Sequence, residues 1–163
     1  MFRMFLSINW QWKTMKKILT KADWVYMPHA GHLIVARECR FHLNTYVGDY
    51  IVSTVGEWWP SRASREIHAS VYDKIWHENN RHLKGDTYDH AYMERFGFED
   101  VGYDRKYETF VFKGGLGSRK SCCPYRVIDW LEIDAKGSND QFEARKIHDK
   151  MCLKWSKKYL KSL

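Results

Sequence analysis

The sequence predicts an α+β fold: a single domain whose antiparallel sheet of about four to five strands is flanked by three helices. Three observations predict it. Residues 39–47 alternate in polarity and run into a Gly-Asp turn, and apolar side chains recur at helical spacing behind capping residues in three later segments. The chain, at 163 residues with 44% apolar and 16% aromatic side chains, is about one domain long and rich enough in core-forming residues to fold without disulfide staples.

Residues 1–21 read as an N-terminal extension or arm, and residues 22–163 as the domain. Met15, followed by Lys16 and Lys17, marks the first 14 residues as an expected upstream extension of the natural start. The clearest strand follows, where Cys39, Phe41, Leu43, Thr45 and Val47 alternate with Arg40, His42, Asn44 and Tyr46. Gly48-Asp49 supplies a type II′ turn, and the β-branched run Tyr50 to Val55 returns antiparallel. The turn sets the register: Val47 opposite Tyr50, Thr45 opposite Val52 and Leu43 opposite Thr54 on an oily side. On the other side Tyr46 meets Ile51, Asn44 meets Ser53, His42 meets Val55 and Arg40 reaches Glu57.

Beyond Pro60, Ser61 or Ser64 caps an expected helix with Ile67, Val71 and Ile75 on its buried stripe, fraying near Asn79-Asn80. A second helix begins at Asp86 or Thr87 and stops at Gly97 in the C′ position. Two strands are expected over residues 98–103 and 106–112, then a glycine-rich hinge at residues 114–118 and a long irregular loop. Asp140 and Glu143 form a capping-box pair at the start of a lysine-rich last helix over about residues 140–160.

The formal charge is +7, from 27 basic and 20 acidic residues. Such an excess favours polyanions and also simply keeps a small domain dissolved. Four cysteines, Cys39, Cys122, Cys123 and Cys152, are too few for a secreted disulfide scaffold and read as reduced thiols in a cytoplasm. No run approaches the ~20 apolar residues of a membrane span, so no membrane partner is expected.

Three constellations carry candidate chemistry. Cys122, Cys123, His148 and Cys152 form a candidate tetrahedral zinc set, since His148 and Cys152 sit one helical turn apart; buried free thiols and an ordinary histidine compete with it. His29 and His32, three apart in a glycine-containing loop, are a weaker metal signal. On the sheet, His42, Ser53, Glu57 and Glu108 are candidate catalytic residues: a base, a hydroxyl and carboxylates gathered by register, against the alternative of a plain solvated face. Arg40, Asn44, Trp58, Trp59 and Arg62 are candidate binding residues, the indoles beside arginines suiting a stacked base or ring.

The stretches ADWVYMPHAGHL (22–33), YIVSTVGEWWP (50–60) and KYETFVFK (106–113) resemble a family of small uncharacterised proteins of tailed bacteriophages. That resemblance implies an accessory protein acting in a bacterial host cytosol and transfers no activity. The string AYMERFGFEDVG (91–102), followed by YETFVF, is similar to the last helix and strands of GNAT-type acyltransferases, which implies a general-acid role for Tyr92. The family's glycine-rich pyrophosphate loop is missing, because EWWPSRAS follows the strand YIVSTVG. The functional expectation is therefore a basic accessory protein that binds nucleic acid or an acidic host protein. A group-transfer enzyme and a minor virion or assembly component are the alternatives.

Overall fold

The structure is a computed structural model that describes residues 23–29, 31, 38–118 and 122–163. The arm expected over residues 1–21 lies outside the described residues, as does His32. Among the described residues, five strands, β1 (Val25–Tyr26), β2 (Cys39–Val47), β3 (Tyr50–Trp58), β4 (Tyr107–Leu116) and β5 (Tyr125–Ser138), form one antiparallel sheet in simple chain order. Among the described residues, four helices complete the α+β domain: α1 (Arg62–His68), α2 (Val71–Asn79), α3 (Gly85–Phe96) and α4 (Gln141–Ser162).

The β2–β3 hairpin has the expected register, with Val47 opposite Tyr50, Asn44 opposite Ser53 and His42 opposite Val55. Gly48 takes φ 62°, the left-handed value a type II′ turn requires at its first central position. α4 lies on the predicted oily side, where Ile147, Met151, Cys152 and Trp155 pack with Trp24 against Val47, Val52 and Val111. Its start is the predicted one: Asp140 caps it by accepting from the Glu143 amide at 2.8 Å.

Several expectations change. The helix beyond Pro60 is two helices, because Ser70 and Asp73 form a complete capping box that starts a new one. Ile67, Val71 and Ile75 do not face a core; they are 73%, 71% and 51% exposed. Residues 98–103 make only isolated bridges, Trp58 to Glu99 and Gly102 to Arg105, instead of a strand. Gly114-Gly115 is no hinge, since β4 runs through it to Leu116. The expected irregular loop holds β5, a 14-residue edge strand exposed along most of its length. A strand with so little of either face buried carries no period-two signal, and its pairing slips between Val111 and Gly114.

Candidate functional site

The second face of the sheet is not open. Met27, Ile51, Phe112, Cys123 and Val127 form a smaller core on it, roofed by the segment after β1 and the segment leading into β5. Consequently Ser53 is fully buried and Asn44 nearly so. Their polar groups hold the roof down: Ser53 Oγ accepts from the Gly31 amide at 2.9 Å, and Asn44 Nδ2 donates to the His29 carbonyl. His42, exposed at the rim, places Nε2 2.9 Å from the Pro28 carbonyl. Glycine suits this close approach, because a Cβ at Gly31 would stand 3.0–3.1 Å from Ser53, Asn44 and Ile51 and would press those side chains back by a few tenths of an ångström.

The remaining catalytic candidates do not join these three. Glu108 shares the His42 face, but Val55 lies between them, so their backbones are about 9–10 Å apart across two strand spacings. Burial pushes the Glu108 carboxyl above its ordinary range, with Arg105 opposing. Glu57 does not pair with Arg40. Its φ of 53° turns the side chain to the α4 side, where Oε1 accepts from the Tyr107 hydroxyl at 3.0 Å and Gln141 at 3.1 Å. Tyr92 is 3% exposed, donates to Glu99 at 2.8 Å and has its hydroxyl pKa raised by burial, then by that bond.

The expected zinc set is split between the two faces. His148 is buried under α4, its ring nitrogens 2.8 Å from both Thr45 Oγ1 and Thr54 Oγ1, and burial lowers its pKa to about 4. Cys152, one turn along, is fully buried in the same core. Neither can reach Cys122 or Cys123 through the sheet. His29 takes their place: its Nδ1 is 3.3 Å from Cys122 Sγ and 3.5 Å from Cys123 Sγ. Nothing local in the sequence joins the two cysteines to the Pro28–Gly31 loop, because 93 positions separate His29 from Cys122.

At the Cys39–Trp58 end of the hairpin, α1 and α3 close a second site. Clefts of about 430 and 210 Å³ share Arg40, Trp59 and Asp89 as walls. Arg65 is buried there, donating from Nε to the Pro60 carbonyl at 2.7 Å and from Nη1 to Asp89 at 3.3 Å. Its guanidinium lies 4.0 Å from the Trp59 ring centre and 4.4 Å from that of Tyr92, so it fixes the indole. Arg40 approaches Trp59 to 5.1 Å and has no carboxylate partner among the described residues. Arg62 lines the larger cleft, with its Nε bonded to Glu66. Of the binding candidates, Arg40, Trp59 and Arg62 therefore converge. Trp58 instead donates to Glu38 beside a neighbouring cleft, and Asn44 belongs to the opposite site. Arg65 was missed because a buried arginine has no local sequence signature.

Comparisons with family models, with curated proteins and with solved structures found no match to the chain. Among the described residues no helix is long and apolar enough to cross a membrane.

Proposed function

We propose that the protein binds single-stranded nucleic acid in the cleft of Arg40, Trp59 and Arg62. The observation that carries this reading is Arg40, a cation without a carboxylate partner among the described residues, held beside a partly exposed indole. An indole face stacks on any base, and a neighbouring guanidinium can take the phosphate that follows it. The net charge of +7 supplies the long-range attraction that brings a polyanion to the cleft. A role of this kind also suits the likeness to small phage proteins, whose partners would lie in a host cytosol.

The test is a titration with single- and double-stranded oligonucleotides at two salt concentrations, read by tryptophan fluorescence. Expected is binding that weakens with salt and favours the single strand, a fall of about tenfold in Arg40→Ala, and a smaller fall in Arg62→Ala. Trp59→Phe should bind more weakly and lose most of the quenching. Absence of salt-sensitive binding to either oligonucleotide defeats the reading and leaves an acidic protein as the partner to try.

A further inference from the structure

We propose that His29, Cys122 and Cys123 bind a zinc ion, which fastens the loop after β1 to the start of β5. The three donor atoms lie within 4.8 Å of one another. In a tetrahedral site with zinc–nitrogen bonds of about 2.0–2.1 Å and zinc–sulfur bonds of about 2.3 Å, nitrogen and sulfur ligands stand about 3.6 Å apart. The two distances here, 3.3 and 3.5 Å, are close to those edges with only small adjustment needed. Adjacent cysteines seldom aim both sulfurs at one point, yet here both reach the same imidazole nitrogen. Nδ1 faces the sulfurs, which leaves Nε2 to carry the ring proton. Two thiolates balance the charge of a divalent cation, so the site needs no further acid.

The backbone on both sides is held in place. Asn44 and Ser53 fix the His29 loop to the sheet by hydrogen bonds to the His29 carbonyl and the Gly31 amide. A hydrogen bond from the His29 amide to the Cys123 sulfur ties the two segments together, as amides do to metal thiolates. On the cysteine side, the Gly117 amide donates to the Pro124 carbonyl at 2.8 Å. Only glycine fits there, because a Cβ would come within 2.6 Å of the Cys123 carbonyl. Cys123 faces the small core while His29 and Cys122 are exposed, so a metal ion can enter from outside.

The experiment uses the full chain, reduced, stripped with a chelator and titrated with cobalt(II). Expected are saturation at one equivalent, thiolate-to-cobalt charge-transfer and intense tetrahedral bands, and displacement of cobalt by zinc. Cys122→Ser and His29→Ala, both at exposed side chains, should each weaken binding about tenfold or more while the metal-free protein melts as before; Asn44→Ala should weaken it by about tenfold. Cys152→Ala should keep the full stoichiometry, because that thiol lies on the other side of the sheet. Failure to saturate overturns the proposal, as do unchanged spectra in His29→Ala, loss of the metal in a folded Cys152→Ala protein, or occupancy by copper(I) alone.

Discussion

The two faces of one sheet are built on different physics. Under α4, Val47, Val52, Val111, Ile147 and Trp155 exclude water over a continuous surface, and the polar groups that enter satisfy one another in a chain from Thr45 through His148 and Thr54 to Thr109. Under the loops, fewer apolar side chains are covered, and a hydrogen bond donated by Asn44 and one accepted by Ser53 hold a thin roof that carries a histidine and two thiols. The comparison teaches that a helix face supplies stability, whereas a roof of irregular chain can present ligands at the surface only if the sheet beneath offers polar anchors.

The comparison breaks most easily at its strong side. Trp155→Ala should cost about 3–5 kcal/mol in denaturant unfolding, since it removes a buried indole packed 4.6 Å from Tyr50 and bonded to Asp134 at 3.0 Å. A cost below that of a surface substitution would show that α4 does not dominate.

His148 sharpens the same contrast through pH. Its folded pKa of about 4 lies below the ordinary 6.5, burial being the main cause and Asp149 opposing weakly. Between those values the unfolded chain takes up a proton that the native protein refuses, so stability rises with pH across this window. The contribution is complete above pH 6.5 and is lost as pH falls to about 4, about 3 kcal/mol in all. Urea midpoints at several pH values should trace this slope, and His148→Gln should flatten it.

The roof should respond least. Ser53→Ala strands the buried Gly31 amide and should cost about 1–2 kcal/mol, whereas His42→Ala, at the exposed rim, should stay within about 0.5 kcal/mol. Hydrogen exchange at residues 27–31 should quicken in the first variant and hardly change in the second. Equal effects would mean that the anchors do not act as described.

Much of the scaffold was legible because it is local. Gly48 can take a left-handed turn where most residues cannot, and alternation over residues 39–47 allows one register, so the His42–Val55 and Asn44–Ser53 pairs follow from the sequence. The Asp140 cap and the Gly97 stop are likewise properties of a few adjacent residues. The Ser70-Asp73 capping box was equally readable, but the stripe of Ile67, Val71 and Ile75 suggested one continuous helix. β5 was not readable, because an edge strand that buries little has no reason to alternate.

The sequence by itself determined the hairpin, its register, the stop of α3 and the start of α4, since each depends on backbone preferences and hydrogen bonds within a few residues. Only the tertiary structure decided what covers each face: α4 on one side, and on the other a loop that brings His29 to two cysteines 93 and 94 positions away. Apolar and polar patterns say that a surface is buried without naming its cover, because hydrophobic burial is non-directional and any apolar segment of the right shape can supply it.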